Sequence, residues 1–166
     1  MNGCLGMKSS DRQTRKRRKI KICFVSGSGG HYEQLRRLRP LLRKYDGFWI
    51  TEKTEFDCEA DYYLPATGSN DPLVLFRMLK MGILSLYIWV KERPDVVITT
   101  GALTAVPMLM LAKVFRRKSI YIETFARVED GSRAGQYGYR HSDLFIYQWE
   151  QLKKVYPNGV YGGSIY

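Results

Sequence analysis

Two apolar runs in this chain end in the same way, and that ending restricts the fold more than any other feature. Ile20, Ile22, Cys23, Phe24 and Val25 lead into Gly27, Ser28, Gly29, Gly30 and His31, and the run Asp95, Val96, Val97, Ile98, Thr99, Thr100 leads into Gly101. Short β-branched runs without polar alternation read as strands buried on both faces. A glycine turn directly after such a strand lets the backbone approach a ligand and reverse into a helix. Further strands are read at 47–51, 61–64, 118–123 and 143–147, with a strand-like end at 160–163. Between them, Leu35, Leu38, Leu41, Leu42 and Tyr45 recur at helical spacing, and Pro40 within that pattern should kink or split the helix. Residues 103–115, with Pro107 near the start, read as a helix, and 149–156 as a short one. Strand and helix alternating at this spacing predict an α/β fold: a Rossmann-like parallel sheet with helices on both faces. A length of 166 residues is one domain's worth.

Charge is distributed unevenly. Twenty-seven Lys and Arg stand against 16 Asp and Glu, a net charge of +11 that argues for a polyanionic partner. Lys8, Arg12, Arg15, Lys16, Arg17, Arg18, Lys19 and Lys21 precede or open the first strand, so residues 1–19 read as a basic tail and 20–166 as the folded domain. The tail has three readings: a solubilising extension, an arm for anionic lipid at ~1 kcal/mol per basic residue near the surface, or a nucleic-acid contact. Cys4, Cys23 and Cys58 are too few and too scattered for a disulfide scaffold or a zinc site, and point to a reducing, cytosolic setting. No run reaches the ~18 to 20 apolar residues that cross a bilayer, and the basic N-terminus lacks the apolar core of a signal peptide. Any membrane contact is therefore expected to be peripheral.

Residues 73–90 are the most apolar stretch. At ~100° per residue, Arg77, Lys80, Ser85, Lys91 and Glu92 fall within an arc of about 140°. The rest is apolar, wider than a helix needs to cover a sheet. Leu73, Phe76, Arg77, Lys80, Tyr87 and Trp89 are thus candidates for a membrane or partner surface, and the competing reading buries the helix between the sheet and other elements.

The glycine turns carry the candidate chemistry. Gly27, Ser28, Gly29 and Gly30 suit a phosphate or diphosphate lying against backbone N–H groups. The loop is not a Walker loop, since no Gly-Lys-Ser/Thr follows. It is not a dinucleotide fingerprint either: the third glycine is missing and Glu52 is the nearest acidic residue in place. A nucleotide cofactor is not expected, nor is a metal. His31, where strand gives way to helix, is a candidate general base or polar substrate contact, its alternative being a capping histidine. His141 reads as structural. Thr100 and Gly101 repeat the construction at a second strand end, and Glu123 is the exit residue of a third. Glu123 is either catalytic or the partner of a salt bridge with Arg127.

Four strings, taken together, carry a family resemblance: S-G-S-G-G-H-x-x-Q-L, V-V-I-T-T-G-A-x-x-A-V-P, I-Y-I-E-T-F-A-R-V, and D-L-F-I-Y-Q-W-E followed by Tyr156-Pro157. The chain resembles the oligosaccharide biosynthesis proteins of the Alg-fourteen-like group, with bacterial PssD- and CpsF-like exopolysaccharide and capsule members, over about residues 20–163. That resemblance implies the N-terminal, acceptor-side half of a GT-B glycosyltransferase. It implies transfer from a UDP-sugar to a polyprenyl-diphosphate-linked saccharide at the cytoplasmic membrane face. The donor half would be a separate Alg-thirteen-like or PssE-like subunit holding most of the UDP-sugar contacts. It also implies His31 as candidate base, Glu123 as the second candidate, and Arg127 as a phosphate contact. Many relatives carry an N-terminal transmembrane helix where this sequence has its basic arm, which favours reversible membrane association. A non-catalytic scaffold that activates a partner transferase is the competing function. A nucleic-acid module is disfavoured, since neither a stacking platform nor a zinc or helix-turn-helix pattern is present.

Overall fold

The computed structural model describes residues 18–55, 58–66 and 74–166. Most of the basic arm, from Lys8 to Arg17, and Leu73 lie outside them. Seven parallel strands form one sheet in the order β3-β2-β1-β4-β5-β6-β7. They are β1 (Lys21–Val25), β2 (Asp46–Lys53), β3 (Tyr62–Pro65), β4 (Val96–Thr99), β5 (Lys118–Ile122), β6 (Leu144–Tyr147) and β7 (Val160–Tyr161). Each strand read from sequence is present.

β1 lies inside the sheet between β2 and β4, and its alternation divides the core into two layers. Cys23 and Val25 face one side, with Phe48 and Ile50 from β2. Ile22 and Phe24 face the other, with Trp49 and Ile98. Phe24 stacks on Trp49, its register partner, with ring centroids 4.4 Å apart. Burial also pushes the Cys23 thiol well up, so it stays protonated, and Cys23 and Cys58 are both free.

Helix α1 (Gly30–Arg36) covers the Phe24 face through Tyr32 and Leu35. It ends early because Pro40 has no N–H to donate, and a 3₁₀ turn (Arg39–Arg43) takes over. The predicted split is therefore found. The opposite face carries α2 (Val74–Glu92), α3 (Val106–Val114) and α4 (Arg133–His141). A 3₁₀ turn (Leu103–Ala105) precedes α3, and Pro107 lies in its first turn, where a missing N–H costs nothing. The short helix read near 149–156 is a 3₁₀ turn (Glu150–Lys154).

Helix α4 has no counterpart among the elements read from the sequence. Its run R-A-G-Q-Y-G-Y-R-H lacks an apolar stripe and carries two glycines. Ser132 caps it, accepting a hydrogen bond from the Gly135 N–H at 2.8 Å. The glycines are there for proximity: a Cβ on Gly138 would stand 2.2 Å from the Tyr121 ring.

Helix α2 corrects the reading of this stretch at three residues. Met81, Ser85, Ile88 and Trp89 make the buried stripe, so Ser85 is not on a solvated face and Trp89 is not a surface residue. Trp89 is only 4% exposed and stacks on Phe115 at 5.5 Å. Glu92 also turns inward, held by Lys21 at 2.5 Å and by the Tyr62 hydroxyl. Leu75, Phe76, Leu79, Ile83, Leu86, Tyr87 and Val90 form the outward face, flanked by exposed Arg77, Lys80 and Lys91. Among the described residues, no helix is long and apolar enough to cross a membrane.

Candidate functional site

The strand order reverses between β1 and β4, and at such a switch point the loops leaving neighbouring strands part and open a crevice. Here the two glycine turns meet. The Gly27 N–H donates to the Gly101 carbonyl at 2.9 Å. The Thr100 hydroxyl donates to the His31 carbonyl at 2.7 Å, and His31 Nδ1 lies 2.7 Å from the Thr100 carbonyl. The loops predicted separately are thus one reciprocal clasp.

That clasp fixes the chemistry of the imidazole. A carbonyl oxygen only accepts, so Nδ1 carries the hydrogen and Nε2 keeps its lone pair in the neutral ring. A base held in one tautomer with one nitrogen free is the arrangement proton abstraction needs. His31 is partly exposed.

Gly101 has φ 98°, and a Cβ there would meet the Tyr121 hydroxyl at 2.9 Å and His31 Cε1 at 3.2 Å. A side chain at 101 would therefore displace the histidine. Beneath it, burial and then the charge of Glu123 push the Tyr121 phenol far above its ordinary range, so it stays protonated.

Glu52 is a site residue the sequence reading passed over, having weighed it only as a ribose contact. It leaves the end of β2, accepts a hydrogen bond from the Thr104 hydroxyl, and lies 3.7 Å from where a Gly27 Cβ would be. Pairing between β1 and β2 brings it beside the glycine turn, which sequence spacing does not reveal.

Glu123 is closed off from solvent. It is fully buried, and four donors surround it: the Thr124 N–H and Ser132 hydroxyl at 2.9 Å, the Ser132 N–H at 3.3 Å, and the Tyr156 hydroxyl at 2.5 Å. The Tyr156 phenol is pushed strongly up by burial, then by its bond to Glu123. The salt bridge considered for Glu123 does not form: Arg127 pairs with Asp130 at 3.0 Å instead. Arg127 is exposed on the loop after β5.

A buried amide network ties this loop to α1. Gln34 accepts from the Phe125 N–H and the Gln148 amide, both at 3.0 Å, while Gln148 also donates to the Glu123 carbonyl at 2.8 Å. Gln34 and Gln148 occur in the strings that carried the resemblance. The visible signal was a glutamine between Tyr32 and Leu35, on the apolar side of α1.

The comparisons agree with this architecture. The family described as "Oligosaccharide biosynthesis protein Alg14 like" matches residues 70–165. The rat protein named UDP-N-acetylglucosamine transferase subunit ALG14 is 31% identical over 182 residues, covering 90% of this chain and 84% of the relative. Among solved structures, Acinetobacter baumannii MurG superposes with a TM-score of 0.63 at 14% identity, over 78% of this chain and 41% of MurG. Rickettsia bellii UDP-N-acetylglucosamine 2-epimerase gives 0.69 at 15% identity, over 89% of this chain and 45% of the enzyme. At such identities these two report the fold alone, and the chain spans less than half of either. By the family match and the rat relative, the chain belongs to the Alg14-like oligosaccharide biosynthesis proteins.

Proposed function

We propose that the chain is the acceptor-side, membrane-facing subunit of a split UDP-N-acetylglucosamine transferase. It extends a polyprenyl-diphosphate-linked saccharide and works with a separate donor-binding subunit. The supporting observation is the combination of family membership with a Rossmann-like sheet that carries the His31 clasp at its switch point. The relative's printed name supplies the nucleotide sugar.

In this reading the acceptor hydroxyl attacks the anomeric carbon of the sugar. The new O–C bond forms as the bond to the UDP oxygen breaks, the electron pair leaving with UDP. His31 Nε2 takes the hydroxyl proton, and the Nδ1–H bond to Thr100 steadies the resulting imidazolium. Gly27, Ser28, Gly29 and Gly30 line the acceptor diphosphate or the donor cleft, beside Thr100 and Gly101. Glu52 accepts a hydrogen bond from a sugar hydroxyl. Arg127, on its exposed loop, reaches a phosphate by exchanging Asp130 for it. Glu123 acts through position, holding the loop that bears Arg127. Phe76, Arg77, Lys80 and Tyr87 of the outward α2 face rest on the membrane surface, so attachment is peripheral.

The decisive experiment measures transfer by the chain reconstituted with a donor subunit. Replacing His31 by Ala should cut turnover about 10²- to 10⁴-fold without loss of assembly. Unchanged turnover leaves a non-catalytic scaffold, and full activity of the chain alone removes the split-enzyme reading.

A further inference from the structure

At the end of the sheet opposite the crevice, α3 and α4 end side by side, and β5 begins between them. A cleft of about 380 Å³ opens there, walled by Lys113, Arg116, Arg117, Lys118, Arg140 and His141, with the Asp143 carboxylate also in its wall. None of these residues has a part in the clasp around His31.

Two of the cations are neutralised locally: Arg117 pairs with Asp95 at 3.3 Å and Lys118 with Asp143 at 2.8 Å. Lys113 Nζ lies 3.4 Å from His141 Nδ1, a contact with no negative partner. Among the described residues, Arg116 and Arg140 make no ion pair. Basic residues near helix C-termini ordinarily offset the dipole, which amounts to about half a negative charge per helix end. Two such ends and two carboxylates still leave the five Lys and Arg with roughly two positive charges in excess. An excess of that size, gathered in a cleft and not spread over a face, matches a compact dianion.

We propose that this cleft is a phosphate-binding site, distinct from the transfer crevice, that takes a phosphomonoester or diphosphate. Arg116 and Arg140 supply planar N–H forks that fit tetrahedral phosphate oxygens, and Lys113 supplies a point charge. A volume of about 380 Å³ has room for one phosphate or diphosphate head group. A membrane phosphomonoester and a soluble diphosphate present the same oxygens. Exposed Val114 and Phe115 beside the cleft suit the lipid source.

The test uses the full chain and two probes. Inorganic pyrophosphate is titrated calorimetrically. Phosphatidylcholine vesicles carrying phosphatidate, or phosphatidylglycerol at matched surface charge, are compared by flotation, so that the attraction of the basic arm and the α2 face to anionic lipid cancels. Saturable binding of pyrophosphate assigns a soluble ligand, and a phosphatidate-dependent gain assigns a lipid headgroup; either supports the site. R116A/R140A should weaken that binding at least tenfold. R116K/R140K should weaken it less, and also serves if the alanine pair does not fold. The charge-matched K153A/K154A, away from the cleft, should change it less than twofold. The proposal is overturned if neither probe binds, if R116A/R140A binds normally, or if K153A/K154A weakens binding equally.

Discussion

A carboxylate that never meets solvent must have every lone pair answered, and the residues around Glu123 are chosen for that. Ser132 gives it both a hydroxyl and an N–H, Tyr156 reaches it from beyond β6, and Gly135 makes room. A Cβ on Gly135 would stand 1.8 Å from Glu123 Oε2. Gly135→Ala is therefore expected to cost about 1–3 kcal/mol or more in urea unfolding, since the clash is with a fixed group in a packed interior. Glu123→Gln replaces one acceptor oxygen with a donor facing other donors, and should lower stability by about 1–3 kcal/mol. If Glu123 acts through position, turnover at saturating acceptor should fall far less in E123Q than in His31→Ala. An equal fall would make it a second base.

Helix α2 shows how one element serves two neighbours. Its inward stripe covers the sheet, and Met81→Ala should cost about 2–5 kcal/mol because a buried side chain leaves a cavity. Its outward face contributes nothing to that core: Leu79 and Ile83 are 62% and 61% exposed. Replacing both by Glu should leave the thermal midpoint nearly unchanged and abolish flotation with anionic vesicles. A collapse of the midpoint would mean that this face is covered by protein.

Over the whole molecule, charged contacts tie the amino-terminal ends of the strands together. The Glu92 carboxyl is held below its usual range by Lys21 and the Tyr62 hydroxyl. For Asp95 and Asp143 burial pushes upward, but hydrogen bonds outweigh it: the Lys21 N–H and Arg18 at Asp95, Lys118 and Ser119 at Asp143. Depressed carboxyl pKa values add stability above the unfolded values and lose it as pH falls through the folded ones. Unfolding free energy should therefore be flat near neutrality and drop below about pH 4, where unfolded Asp and Glu take up protons first. Tyr121 and Tyr156 have the opposite sign: their raised phenols add stability that is lost as pH rises beyond about 10. Denaturant titrations across pH would show both limbs, and a profile without an acid limb would remove the carboxylate account.

Seven strands, the break at Pro40 and the pairing of glycine turns with strand ends were legible in the sequence because each rests on local chemistry: β-branched runs, a missing N–H, a residue without Cβ. His31 beside the first turn was legible for the same reason. Position in space was another matter. That Glu123 is enclosed while Glu52 borders the crevice, that Trp89 packs inward while Leu79 faces out, and that α4 forms at all depend on which strands and helices lie next to one another. Contacts such as Tyr156 to Glu123 and Thr104 to Glu52 join residues 33 and 52 positions apart, a separation over which periodicity carries no information. Only the assembled sheet decides them.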